Sequence, residues 1–265
     1  MKDFQPQTHE LLLNKLIQAR YRFSSFSDYM VQNTTTRPAE DQPLIILRHD
    51  VERYYPNALT LAQIQYGLGI TGTYYFRLLP HAYNANIIKQ IAKMGHEIGY
   101  HYDDLTASGG DFPKAWERFQ KNLQTLRNIA PVTSITMDGS PLSKYDNRNL
   151  WQKYDYKKLG ILAEPYFDLD FNQIFYITDT GRRWDGHLFN VRDKATKENP
   201  VTNQEFLKLR FHSTFDLIQA IEKGAFPKQA MLNFHPQRWN SNPYLWTKEL
   251  VMQNLKNQVK RFLVK

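Results

Sequence analysis

Residues 44–52, with the sequence LIILRHDVE, change abruptly from aliphatic to ionisable, and the fold prediction rests on this change. Four aliphatic residues open the stretch directly after Pro43. Such a run is typical of a strand that is buried on both faces, as in a parallel sheet. Ionisable residues follow at its carboxyl end. Ligands bind at this end of the strands in α/β sheets and barrels, because the loops that leave the strands converge there.

His49, Asp50 and Glu52 are therefore predicted to lie on a catalytic loop. The alternative is that they make ordinary polar contacts in a strand-to-helix turn, with Asp50 holding Arg48 or Arg53. The other strand ends of the chain discriminate between these two interpretations.

The composition is that of a folded protein without thiol chemistry. The chain has 265 residues, of which 42% are hydrophobic and 14% aromatic, enough for one large α/β domain or two small ones. It contains no cysteine, so a disulfide and a thiolate metal site are excluded, and any metal must be held by His and carboxylates. No run approaches the ~20 apolar residues that span a bilayer. The first residues lack the pattern of a signal peptide, and we expect a cytoplasmic protein without a membrane span.

The net charge of +8 raises the question of an anionic partner. Lys and Arg are scattered along the chain, and neither a Gly-rich RNA motif nor a Cys/His finger is present. We therefore predict no nucleic-acid partner. A solvated surface, or attraction to an acidic glycan or a membrane leaflet, accounts for the charge. The oligomeric state is left open.

Short β segments alternate with amphipathic helices along most of the chain, which predicts an α/β protein with one parallel sheet. Residues 1–43 are interpreted as a helical extension packed on this unit, and residues 44–265 as the unit itself with a carboxyl-terminal helix. The predicted strands begin at Leu44, Thr73, Glu97, Thr133, Ile161, Ile174 and Met231.

Polar side chains recur where these predicted strands end. One such ending means little, because strand exits often carry Asp or Asn in turns. Repetition at five strands predicts a site, with ligand types that suit a zinc-like divalent ion and general acid/base chemistry. The residues are Asp50 and Glu52, His101 and Asp104, Asp138, Asp179, and His235.

Three segments resemble motifs of the polysaccharide deacetylase family: RHDVE at 48–52, GHEIGYHYDDL at 95–105 and FHP at 234–236. The resemblance covers residues 44 to 239. It implies a distorted (β/α) barrel of about seven parallel strands. It also implies a divalent metal, usually zinc, that serves the removal of acetyl groups from N-acetylated sugars.

The resemblance also implies catalytic roles. Asp50 matches the catalytic base of the first motif, and His235 matches the catalytic acid of the fifth. Asp179 and Trp184 resemble the fourth motif, and Asp179 is assigned to orienting His235.

The metal ligands depart from the family pattern at two positions. The second aspartate of the first motif falls on Val51, so Glu52 is the nearest replacement. His101 matches the first histidine of the second motif, but the second histidine falls on Leu105. Asp103 or Asp104 from the same turn, or Asp138 from the next strand, can substitute. The predicted ligands are Glu52, His101, Asp138 and Asp104.

Three further residues are assigned to the substrate. Trp184 and Trp239 have flat apolar faces that suit sugar rings, and Arg48 is the third. The predicted protein is a metal-dependent hydrolase that removes an N-acetyl group from a sugar or a sugar-containing precursor in surface polysaccharide metabolism. The alternative is a catalytically impaired member of the fold that binds a glycan or a biosynthesis partner, which Val51 and Leu105 at ligand positions favour.

Overall fold

A computed structural model describes residues 1–35, 42–140, 143–185 and 200–263. Strands and helices alternate along most of this length. Short 3-10 helices cover Asn147–Gln152, Tyr156–Leu159 and Pro236–Arg238. The strands are β1 (Arg22–Ser24), β2 (Leu44–Val51), β3 (Thr73–Phe76), β4 (Glu97–Tyr102), β5 (Ile135–Met137), β6 (Phe175–Thr178) and β7 (Gln229–Phe234). The α-helices are α1 (Pro6–Gln18), α2 (Phe26–Thr35), α3 (Tyr55–Gly67), α4 (Ala85–Lys93), α5 (Asp104–Ala107), α6 (Phe112–Arg127), α7 (Pro165–Asp168), α8 (Gln204–Lys208), α9 (Thr214–Glu222) and α10 (Pro243–Leu263).

Strand β2 is buried along its whole length, as its aliphatic run predicts. Leu44 and Ile46 belong to one hydrophobic cluster, whereas Ile45 belongs to a second cluster on the other side of the strand. Because side chains alternate between the two faces of a strand, Asp50 lies on the same face as Leu44 and Ile46. His49 lies on the opposite face.

The seven strands form one parallel sheet in the order β5-β4-β3-β2-β7-β6, and β1 also pairs with β2. Strand β1 pairs with the first half of β2, from Leu44 to Ile46, and β3 pairs with the second half, from Arg48 to Val51. The predicted α/β class and distorted (β/α) barrel of about seven parallel strands are confirmed.

One predicted strand is wrong in its extent. The segment at Ile161 contributes only an isolated bridge, between Ser134 and Ala163. Gly160, which has a φ of 69°, and the helix that begins at Pro165 enclose this segment. Strand β1 supplies the seventh strand instead. The division of the chain at residue 43 stays a prediction.

Helices cover the outside of the sheet with apolar faces. Helix α1 buries Leu12, Leu13 and Leu16 and contacts α3 and α9. Helix α6 buries Phe119 and Leu123. Among the described residues, no helix combines the length and the apolar character needed to cross a membrane.

The strand order brings six strand exits to one edge of the sheet. Glu52 follows β2, Arg77 follows β3 and Asp103 follows β4. Asp138, Asp179 and His235 follow β5, β6 and β7. Because all strands are parallel, these polar side chains share the carboxyl-terminal rim, where the sequence predicts a site.

Candidate active site at the carboxyl ends of the strands

Glu52, His101 and Asp138 form a group of potential metal ligands on this rim. One ligand atom from each of the three side chains lies within 4.8 Å of the other two. They come from three different strands or strand exits, so the sheet itself assembles the group.

The imidazole of His101 is oriented for coordination. Its Nδ1 lies 3.1 Å from the carbonyl oxygen of Thr136, which makes Nδ1–H the donor and leaves a lone pair on Nε2. Nε2 is buried and has no hydrogen-bond partner among the described residues. It lies 3.8 Å from Oδ2 of Asp138. A metal-bound histidine is held by this kind of hydrogen bond on its second nitrogen.

Glu52 completes the group with a second carboxylate. Its Oε2 accepts a hydrogen bond of 2.8 Å from Nε2 of Gln237. Burial raises the pKa of Glu52, but His235 and then Arg238 outweigh it and hold the pKa below its usual value. One imidazole whose Nε2 has no hydrogen-bond partner among the described residues and two carboxylates are ligands that suit a zinc-like divalent ion, so the residues present fit such an ion.

Asp104 lies outside this group, contrary to its predicted role as a ligand. Helix α5 begins at Asp104 and directs its carboxylate to Nη1 of Arg118 at 2.6 Å, Nδ2 of Asn122 at 3.1 Å and the hydroxyl of Tyr100 at 2.7 Å. Burial raises the pKa of Asp104 to about 6, against the opposing effect of Arg118. The helix start therefore turns this side chain away from His101.

His235 and Asp179 form an oriented pair beside the group. Nδ1 of His235 lies 2.7 Å from Oδ1 of Asp179, and the backbone N–H of His235 donates to the same carboxylate. Nε2 of His235 lies 3.8 Å from Oε1 of Glu52. Burial and Arg238 lower the pKa of His235, but Asp179 and Glu52 outweigh them and raise it above its usual value. The imidazolium form is thereby favoured.

Asp179 is itself held by two other side chains besides His235. Its carboxylate accepts hydrogen bonds of 2.6 Å from Nη1 of Arg238 and of 2.7 Å from Nε1 of Trp239. Burial raises the pKa of Asp179, but Arg238 and His235 hold it below its usual value. Asp179 therefore stays ionised as the counter-charge of His235.

Asp50 lies close to the ligand group, but its carboxylate is already hydrogen-bonded to other side chains. Arg48 donates from Nε and Nη2 at 2.9 Å each, and Nδ2 of Asn233 donates at 2.9 Å. Burial raises the pKa of Asp50, but Arg48 and then His101 and His235 hold it well below its usual value. The contact between Asp50 and Arg48 is the one that the turn interpretation expected.

Arg48, which was assigned to the substrate, is a buried residue, and that assignment stays a prediction. Its side chain is 1% exposed and lies against the rings of Tyr75, Tyr166 and Tyr176. Because Arg48 follows Ile46 on the inner face of β2, its guanidinium enters the core and pairs with Asp50.

Trp184 and Trp239 are also core residues, and their role in sugar binding stays a prediction. They are 2% and 1% exposed, and both pack on Phe234. Nε1 of Trp184 donates to Oγ1 of Thr214 at 2.9 Å, and Trp239 donates to Asp179. Other side chains cover both indoles almost completely.

His49 does not belong to the catalytic loop either. Its Nδ1 lies 3.0 Å from the carbonyl oxygen of Thr73, and its Nε2 lies 2.7 Å from Nε2 of Gln65. Burial lowers the pKa of His49 well below its usual value. The alternation of β2 places this ring outside the sheet, under helix α3.

Three residues of the site were not predicted from the sequence. Arg77 lies 3.1 Å from Asp138, Asn233 binds Asp50, and Gln237 binds Glu52. Arg77 follows a strand as the predicted residues do, so the same positional signal would have found it. Asn233 and Gln237 lie two residues on either side of His235, but only their contacts mark them.

No family model matches this chain, and no curated protein matches it. Solved structures of the CE4 family are similar to it. A CE4 family pseudoenzyme from Bacillus anthracis is 12% identical with a TM-score of 0.44, over 83% of this chain and 62% of its own length. The Xyl-CE4 domain of a xylanase from the hindgut metagenome of Trinervitermes trinervoides is 15% identical with a TM-score of 0.41, over 82% and 85%. A Streptococcus mutans CE4 esterase is 14% identical with a TM-score of 0.42, over 91% and 87%.

Proposed function

We propose that this protein is a metal-dependent hydrolase that removes an N-acetyl group from a sugar or a sugar-containing precursor. The observation that carries the proposal is the environment of Glu52. On one side, Glu52 belongs to the ligand group together with His101, whose Nε2 has no hydrogen-bond partner among the described residues. On the other side, the oriented imidazole of His235 lies 3.8 Å away. A ligand group beside an oriented proton donor is the arrangement that amide hydrolysis requires.

Glu52, His101 and Asp138 would hold the ion. A divalent ion bound there acts as a Lewis acid that polarises the amide carbonyl. Zinc is the ion we propose, because the group combines one imidazole with two carboxylates.

His235 is proposed as the general acid. Asp179 holds its Nδ1 and favours the imidazolium, so Nε2 carries the proton that the leaving amine requires. Asp179 acts through His235 and is a positioning residue.

Asp50 is proposed as the base that takes a proton from the attacking water. Arg48 and Asn233 hold its carboxylate in place, and its low pKa keeps it ionised. The same contacts make it a weak base, because basicity falls as the pKa falls.

The hydrogen bonds that Arg48 and Asn233 donate to Asp50 favour a second candidate function. In this function the protein is a catalytically impaired member of the fold that binds a glycan or a biosynthesis partner. We prefer the hydrolase, because Glu52 joins the ligand group to the oriented imidazole of His235, an arrangement that glycan binding alone does not require.

The test combines elemental analysis with an amide-hydrolysis assay on free and nucleotide-linked N-acetylated sugars. The hydrolase should contain about one divalent ion per chain, and His101→Ala should lose both the ion and the activity. His96→Ala is the control, because the buried His96 ring binds the carbonyl of Ala62 and the N–H of Gly72 away from the ligand group. Metal content that is equal in wild type and His101→Ala contradicts the ligand set. A His101-dependent ion without any hydrolysis favours the binding protein.

A further inference from the structure

The carboxylate of Asp138 is shared between the ligand group and a guanidinium. Its Oδ1 accepts hydrogen bonds from the backbone N–H of Ser140 at 2.9 Å and from the hydroxyl of Ser140 at 2.5 Å. Its Oδ2 lies 3.1 Å from Nη1 of Arg77 and 3.8 Å from Nε2 of His101. The oxygen nearest to His101 is therefore the one that Arg77 already binds.

Arg77 has a second carboxylate to bind. Its Nη2 donates to Oδ2 of Asp103, whose other oxygen accepts from Nη1 of Arg118 at 2.7 Å. A guanidinium that leaves Asp138 thus remains paired with Asp103 and is not left as an isolated buried charge.

The side chain of Arg77 is more exposed to solvent than the two carboxylates that it contacts. It is 20% exposed, whereas the side chains of Asp138 and His101 are 6% and 2% exposed. Its Nε has no partner among the described residues, so no hydrogen bond from Nε holds the guanidinium in its present place.

We propose that Arg77 competes with the divalent ion for Oδ2 of Asp138, so that the ion binds when the guanidinium moves from Asp138 onto Asp103 alone. This inference rests on the proposed ligand set of Glu52, His101 and Asp138. A divalent ion and a guanidinium on one carboxylate oxygen repel each other, and this repulsion is strong in a partly buried site, so the closer approach of one weakens the binding of the other. Arg77 thereby sets the affinity of the site for the ion.

The test is calorimetric titration of the chelator-treated full chain with Zn²⁺, without substrate. Arg77→Met removes the competitor and should tighten Zn²⁺ binding about tenfold or more, which corresponds to ~1.4 kcal/mol. If Arg77→Met fails to fold, Arg77→Gln replaces it with the same expectation, because an amide retains a donor for Asp103. An unchanged or weaker Zn²⁺ affinity in the folded variant overturns the inference.

A double-mutant cycle separates competition from simple charge repulsion. In an Asp138→Asn background the contested carboxylate is absent, and Arg77→Met should change Zn²⁺ affinity by less than about twofold. An equal tightening in both backgrounds means that Arg77 acts only through its charge at a distance, which contradicts competition for the oxygen.

His101→Ala distinguishes failure of the inference from failure of the ligand set. If His101→Ala abolishes Zn²⁺ binding but Arg77→Met leaves it unchanged, the ligand set stands and the inference is overturned. If neither wild type nor Arg77→Met binds Zn²⁺ in a His101-dependent manner, both are overturned. Zn²⁺ affinity is read without substrate, so a lack of amide hydrolysis contradicts the proposed function alone.

Discussion

Asp179 is a buried carboxylate whose proposed role is to set the orientation and charge of one imidazole. Asp179→Asn removes the negative charge that raises the pKa of His235 and should lower activity by roughly 10²- to 10⁴-fold. Metal content should not change, because Asp179 is not in the ligand group. Steady-state kinetics and elemental analysis of the same preparation check both expectations.

Asp185→Asn is the matched control. Asp185 also lies near an imidazole, with its Oδ2 3.4 Å from Nδ1 of His212, but outside the ligand group. This variant should keep wild-type activity. Full activity in Asp179→Asn contradicts the role of His235 as an acid positioned by Asp179.

Asp50 and Arg48 require a different design, because each is the counter-charge of the other inside the core. Asp50→Asn alone leaves a buried guanidinium without its charge partner, which costs about 3–5 kcal/mol of stability. The double variant Arg48→Met with Asp50→Leu removes both charges and should unfold at a higher urea concentration than Asp50→Asn.

Activity of this double variant decides the role of Asp50. If Asp50 is the base, the folded double variant should have an activity roughly 10²- to 10⁴-fold below that of the wild type. Wild-type turnover in the double variant would assign the pair to the structural interpretation, in which Asp50 only holds Arg48.

At the scale of single elements, β4 depends on a close contact at Gly99. A Cβ at this position would overlap Cδ1 of Tyr75 and lie 3.1 Å from the carbonyl oxygen of Ser134. The ring of Tyr75 cannot easily move, because its hydroxyl accepts a hydrogen bond of 3.0 Å from Ser134. Gly99→Ala should lower the free energy of unfolding by about 1–3 kcal/mol, measured in urea.

Gly67→Ala is the control for this prediction. Gly67 ends helix α3, a Cβ added to it would meet no heavy atom within 4 Å, and its φ is not positive. Alanine there should be neutral or raise the free energy of unfolding by about 0.5–1 kcal/mol. Equal stability of the two variants contradicts the packing argument for β4.

At the scale of the whole molecule, a buried polar network links α1, α3 and the sheet. Nε2 of Gln65 lies 3.1 Å from Nε2 of His9 and 2.7 Å from Nε2 of His49, and the hydroxyl of Tyr74 donates to Oε1 of Gln65 at 2.9 Å. Burial lowers the pKa of His9 to about 3 and lowers that of His49 well below its usual value. Both rings are neutral in the folded protein.

The network predicts loss of stability in mild acid. Each ring binds a proton in the unfolded chain below pH 6.5 but not in the folded protein, so the free energy of unfolding falls as the pH falls from 6.5 towards 3. The protonation of His9 in the unfolded chain should lower the free energy of unfolding by roughly 2 kcal/mol between pH 7 and pH 5, and His49 should lower it further. Urea unfolding at both pH values should show a smaller decrease for His9→Gln than for wild type. The same decrease in both proteins contradicts the prediction.

The sequence alone determined where the polar residues of the site meet. Parallel strands bring their carboxyl ends to one edge whatever the details of packing, so Glu52, His101, Asp138, Asp179 and His235 were predictable from their positions after aliphatic runs. The α/β class followed from the same alternation of strands and helices.

The tertiary structure decided which of these side chains face each other. In β2 the side chain of His49 lies on the outer face of the sheet and that of Asp50 on the inner face. A shift of one residue in the register would exchange the two faces. The start of α5 turns Asp104 towards Arg118, and contacts with residues remote in sequence bury Trp184 and Trp239. Arg77 reaches Asp138 because β3 and β5 lie on either side of β4. Such contacts depend on strand order and helix starts together, which local spacing in a sequence does not encode.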